Sequence, residues 1–144
     1  MINLNGEFST DATVLSATNR SFQYADGVFE TLKICDGKIL FFEDHYFRLM
    51  SAMRILRMEI PMNFTMEFLE DQILLLSHKL NIEDSARARI TVFRTGNGFY
   101  LPVENGVGFI ITAQSLAGKP YVINESRYEV DLYKDFYVPA QLLS

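Results

Sequence analysis

The sequence predicts an α+β domain, a mostly antiparallel sheet with two helices packed on one face. Short alternating runs bounded by turn dipeptides stand near both ends of the chain. Two amphipathic helical stripes lie between them, and no internal repeat breaks the order strands, helices, strands.

Ile2 to Leu4 runs into Asn5-Gly6, a hairpin turn pair, after which Glu7 and Phe8 return. Val28 to Ile34 is rich in β-branched and aromatic residues, Asp36-Gly37 is its turn, and Ile39 to Phe42 supplies the partner strand. From Glu43 to Arg57 the residues Leu49, Ala52, Met53 and Leu56 fall on one helical stripe. Glu43 and Asp44 in its first turn and Arg54 and Arg57 in its last complement the helix dipole, and Pro61 ends the pattern. A second helix from about Thr65 to Leu80 places Leu69, Ile73, Leu76 and Leu80 together, with Lys79 at its basic end. Arg87 to Arg94 and Val107 to Ala113 read as two further strands, joined by the long loop Thr95 to Gly106.

Beyond that the pattern changes. Residues 115–127 mix Ser, Gly, Pro and Asn without periodicity and read as an interdomain linker, which makes 1–114 a domain of its own. Tyr128 to Tyr133 starts a new strand, but a lone strand with so few residues after it cannot bury enough surface to be a domain. Residues 128–144 are therefore expected to be the start of a truncated second domain.

The 144 residues are 49% hydrophobic and carry 13 basic and 18 acidic side chains, a net charge of −5. That balance argues against a large basic face for nucleic acid or for an anionic membrane. No stretch approaches the ~18 apolar residues of a membrane span. The single cysteine, Cys35, and the lack of any zinc-spaced Cys/His cluster fit a reducing compartment, with the cytoplasm as the expectation and no metal site.

Side chains alternate along a strand, so the strands flanking the helices have unequal faces. Val28, Glu30, Leu32 and Ile34 share one face of the first, and Phe29, Thr31 and Lys33 the other. In the second, Ala88, Ile90 and Val92 oppose Arg87, Arg89 and Thr91. With the apolar sides against the helices, the far side gathers two arginines, a lysine, a threonine and an aromatic. It is either an anion-binding surface or an ordinary solvated sheet face. Arg48 stands at the edge of the first helix's apolar stripe, where the residues alone favour a surface salt bridge to Asp44.

Asn19-Arg20-Ser21-Phe22-Gln23-Tyr24-Ala25-Asp26-Gly27-Val28-Phe29-Glu30-Thr31, followed by Asp44-His45-Tyr46-Phe47-Arg48-Leu49, resembles the signature of the class IV, fold-type IV, pyridoxal-phosphate enzymes. That family holds branched-chain and D-amino-acid aminotransferases and 4-amino-4-deoxychorismate lyases, and the resemblance extends over nearly the whole chain. It implies an aminotransferase using pyridoxal 5'-phosphate, an amino acid and a 2-oxo acid. By the resemblance, Arg48 binds the cofactor phosphate and His45 is structural. Phe29, Thr31 and Lys33 line the substrate pocket. Arg89 matches a pocket arginine and Arg87 a pocket tyrosine of the branched-chain enzymes, and either is suited to a substrate carboxylate. Tyr24 matches an aromatic that reaches the neighbouring subunit's site, so a homodimer is implied; its alternative is a buried core tyrosine.

The departures are as informative. The loop Arg94-Thr95-Gly96-Asn97-Gly98-Phe99-Tyr100-Leu101 lacks the histidine of the D-amino-acid enzymes, and an aromatic replaces the loop arginine of the lyases. None of Lys33, Lys38, Lys79, Lys119 and Lys134 matches the family's Schiff-base lysine, so the chain by itself is expected to be inactive. The alternatives are a lyase of the same cofactor class and, if the chain is complete, a non-catalytic oligomerising or anion-binding module.

Overall fold

A computed structural model describes residues 1–11, 14–96, 98–117, 125–132 and 134 of the chain. The elements are β1 (Ile2–Leu4), β2 (Glu7–Ser9), α1 (Arg20–Tyr24), β3 (Gly27–Cys35), β4 (Lys38–Ile39), α2 (Phe42–Ile55), α3 (Met66–Lys79), β5 (Ser85–Arg94) and β6 (Val107–Ser115). The strands form one six-stranded sheet in the order β2-β1-β6-β5-β3-β4, and every pairing is antiparallel. The expected α+β architecture is what forms.

Both predicted tight turns close as expected. Asn5 and Gly6 have φ of 54° and 94°, Asp36 and Gly37 of 49° and 72°, the paired positive values that a two-residue hairpin needs. The expected strand at Ile39–Phe42 is shorter, because Phe41 adopts a left-handed φ of 55° that ends the extended run and leads into α2. Helix α3 starts where Thr65 caps it, the hydroxyl accepting from the Phe68 amide at 3.2 Å.

The alternation puts Leu32, Ile34, Ala86, Ala88, Ile90 and Val92 against Leu49, Met53, Leu69, Ile73 and Leu76 of α2 and α3, all buried. Each of the leucines, isoleucines, Val92 and Met53 contributes about 1.5–3 kcal/mol of transfer free energy on burial, and the two alanines less. Neither long helix covers the sheet's other face, where among the described residues only the short α1 approaches, at the Gly27 end of β3.

Helix α1 is not foreseen by periodicity, since five residues are too few to show any. Asn19 caps it, its side chain accepting from the Ser21 amide at 2.9 Å. The strand expected over Tyr128–Tyr133 does not form within 128–132, and Tyr133 lies outside the described residues. Tyr128, Val130 and Leu132 are exposed, and among the described residues the sheet's strands pair with one another and not with this segment. Much of the expected linker and of 128–144 likewise lies outside the described residues. Among the described residues no helix is long and apolar enough to cross a membrane.

Candidate functional site

The register of β3, β5 and β6 assembles the predicted face. Phe29 stands opposite Thr91, Thr31 opposite Arg89, and Lys33 opposite Arg87. On β6, Thr112 and Gln114 flank Arg89 and Arg87. No acidic residue stands on this side of the three strands, so Lys33, Arg87 and Arg89 give it a positive field. The Arg89 guanidinium lies over the Phe29 ring, 3.8 Å from its centroid, a stacked geometry that fixes both side chains while the ring stays 55% exposed.

Arg48 is elsewhere. It rises from α2 on the helix-covered side of β3 and grips Glu30, Nε to Oε1 and Nη2 to Oε2, both at 2.7 Å. The expected alternative of a bridge to Asp44 is therefore corrected: Glu30, a strand residue facing the helices, is the partner. A bidentate fork is the strongest geometry open to a guanidinium and a carboxylate. The side chain of Glu30 is 10% exposed and that of Arg48 45%, so the acid is buried and the cation reaches outward. His45 Nδ1 lies 2.7 Å from Glu30 Oε2 and 2.8 Å from Arg48 Nη2. Protonated there, it donates to the carboxylate; unprotonated, it accepts from the arginine. Burial pushes the Glu30 carboxyl up, but the hydrogen bonds from Arg48 and His45 outweigh it and hold the carboxyl below the usual range.

The strand itself relates the two groups. Strand β4 pairs only with Ile34 and Cys35, so β3 from Gly27 to Leu32 has no β4 partner and borders the sheet. Arg48 stands on one side of that border through Glu30, and Phe29 and Thr31 stand on the other. A flat ligand with an anionic group can meet both only by lying across this edge.

Tyr24 joins neither group. It is half-buried, so it is not the core tyrosine offered as its alternative, and its ring meets Tyr100 edge-on at 5.9 Å between centroids. Arg20 lies over it at 5.0 Å. Three residues that the quoted motifs contain without an assigned role form a buried network here. Asp26 accepts from Arg20 Nε at 2.7 Å and from Arg94 Nε at 3.0 Å. Arg20 Nη1 also donates to the carbonyls of Gly98 and Phe99 at 2.7 and 2.6 Å, which anchors the β5–β6 loop. Among the described residues no group of three or more His, Cys, Asp or Glu is placed to hold a metal ion.

The family profile described as amino-transferase class IV matches residues 27–141. Comparison with curated proteins yields no match. Among solved structures, the branched-chain amino acid aminotransferase of Escherichia coli superposes with a TM-score of 0.70 at 20% identity, over 80% of this chain and 39% of that one. A T.th. branched-chain amino acid aminotransferase with pyridoxamine 5'-phosphate gives 0.70 at 23% identity, over 83% and 41%. The 4-amino-4-deoxychorismate lyase of Pseudomonas aeruginosa gives 0.65 at 24%, over 83% and 42%. These likenesses establish the shared fold, and the chain spans about two fifths of each relative's length. With the family profile covering most of its residues, the chain belongs to the class IV aminotransferases.

Proposed function

We propose that this chain is the N-terminal domain of a pyridoxal-phosphate aminotransferase that moves an amino group between an amino acid and a 2-oxo acid. The observation that carries the reading is the β3 border, with a half-exposed guanidinium on one side and a cationic, aromatic-walled face on the other. A solved relative holding pyridoxamine 5'-phosphate supports the choice of cofactor. When bound, that cofactor supplies an electron sink for the substrate's α-carbon.

The chain's own residues have separable tasks. Glu30 takes the Nε/Nη2 edge of Arg48 and leaves Nη1 to donate to the cofactor phosphate. Lys33, Arg87 and Arg89 attract the substrate carboxylate, and Thr31 offers a hydroxyl between them. Phe29, held by Arg89, excludes water on the apolar side of the substrate. Tyr24 sits off this face and belongs to the surface that meets a second copy in a homodimer. The amine nucleophile and the partner of the ring nitrogen come from outside this domain.

A second reading, elimination of pyruvate by a lyase of the same cofactor class, has the Pseudomonas structure in its favour. The aromatic that stands in the β5–β6 loop in place of the lyases' arginine favours the aminotransferase.

A substrate panel with added cofactor separates them, run on the 144-residue chain and on the product of its complete coding frame. Transamination consumes a 2-oxo acid mole for mole with the amino acid, whereas the lyase releases pyruvate with no acceptor consumed. The expected outcome is transamination by the coding-frame product and no turnover by the 144-residue chain. Turnover by that chain, or pyruvate release without an acceptor, overturns the reading.

A further inference from the structure

A cavity of about 490 Å³ lies beside the Gly27 end of β3, and its lining contains none of Phe29, Thr31, Lys33, Arg48, Arg87 or Arg89. Arg20, Arg57 and Arg94 line it, with Asp26 as the one acid. Tyr24, Tyr100 and Leu101 contribute an apolar side. We propose that this cavity binds a small organic anion, a carboxylate carried on an aromatic or aliphatic body, independently of the Arg48 site.

Charge is the first argument. Arg20 and Arg94 are 4% and 3% exposed and share the single carboxylate of Asp26. Beyond Asp26, the two guanidiniums meet only neutral hydrogen-bond acceptors among the described residues: the carbonyls of Leu56, Gly98, Phe99 and Tyr100 and the side-chain oxygen of Asn105. In a partly enclosed space an added anion gains strongly from such cations.

Preorganisation is the second. Arg94 commits Nε–H to Asp26, one Nη1–H to Asn105 at 2.6 Å and one Nη2–H to Leu56 at 2.7 Å. One N–H on each terminal nitrogen has no partner among the described residues, and the side chain is already fixed. Arg57 supplies the third cation from an unusual backbone position. It follows α2 with φ of 53°, where helices commonly place glycine, so a long charged side chain occupies a conformation that disfavours it.

Volume and wall chemistry set the ligand class. The space suits a small organic molecule better than a bare inorganic ion, and the tyrosines and Leu101 need an apolar body to cover them.

The test is a titration of the full chain, followed by amide shifts in NMR, with benzoate, inorganic phosphate and benzyl alcohol. Benzoate is expected to bind saturably and more tightly than either other probe. Arg57→Ala, at an exposed position, is expected to weaken benzoate about tenfold, the loss of one charged hydrogen bond. Arg57→Lys retains most of the affinity, and Arg54→Ala, an exposed cation one turn earlier and outside the lining, leaves it unchanged. Absence of saturable benzoate binding overturns the proposal, as does an affinity indifferent to Arg57→Ala or equally sensitive to Arg54→Ala. Equal binding of phosphate removes the apolar wall from the site, and equal binding of benzyl alcohol removes the charge; either result also overturns it.

Discussion

Glu30 stands among Val28, Leu32 and Ile34 on the side of β3 that faces the helices, and an acid there is tolerable only when a cation meets it. Arg48 does so through two 2.7 Å bonds, with His45 as a third partner. The pair makes stability depend on pH in one direction. Because the folded carboxyl is held below its ordinary value of 4.5, its contribution is complete above that value and is lost as pH falls through the folded one. Glu30→Gln should therefore cost about 1–2 kcal/mol at neutral pH. That gap from wild type should shrink as pH falls below the ordinary carboxylate range and through the lowered folded value, read by urea unfolding at each pH. A gap that persists or widens in acid contradicts the assignment. The alternation of β3 already showed Glu30 facing inward, and His45 and Arg48 stand three residues apart, on one side of the helix. The signal was present, but an apolar face with one acid in it reads first as an apolar face.

At the level of elements, the periodic parts of the fold were legible and the aperiodic ones were not. Strands β3, β5 and β6 and helices α2 and α3 announce themselves because side-chain alternation and helical stripes recur over nine or more residues. The loop-and-helix segment before β3 has no period, and neither does the Arg20–Asp26–Arg94 network, which joins that segment to the far end of β5. What locks that segment to the sheet is close approach at Gly27. A Cβ there would lie 2.8 Å from Ser21 Oγ and 3.0 Å from the Val92 carbonyl oxygen, while Ser21 Oγ itself donates to the Asp26 carbonyl at 3.0 Å. Gly27→Ala is expected to lower stability by about 1–3 kcal/mol, measured as a fall in the denaturation midpoint. An unchanged midpoint would show that α1 is not packed on β3 as described. At the other end of the ladder of effects, Thr65→Ala removes only the α3 cap and should cost about 1 kcal/mol.

For the whole molecule, the sheet separates two kinds of surface. One side is an apolar core closed by α2 and α3; the other is a cationic face with Phe29 exposed among its arginines. The match covers about two fifths of each solved relative, and a face uncovered by the described residues is what the proposed half of a cofactor site requires. The grouping of Phe29, Thr31, Lys33, Arg87 and Arg89 could be read from alternation alone. The position of Arg48 across the β3 border could not, because it depends on how α2 packs. That border is where the account is most exposed to test. Calorimetry can compare pyridoxamine 5'-phosphate with pyridoxamine, two ligands that differ by the phosphate and carry no aldehyde to react with surface lysines. The phosphorylated ligand is expected to bind about tenfold more tightly to the wild-type chain, and the double variant Glu30→Gln/Arg48→Ala, which leaves no unpaired carboxylate buried, should bring the two affinities together while the fold is retained. Equal affinities in the wild type, or a preference that survives the loss of Arg48, would contradict the account.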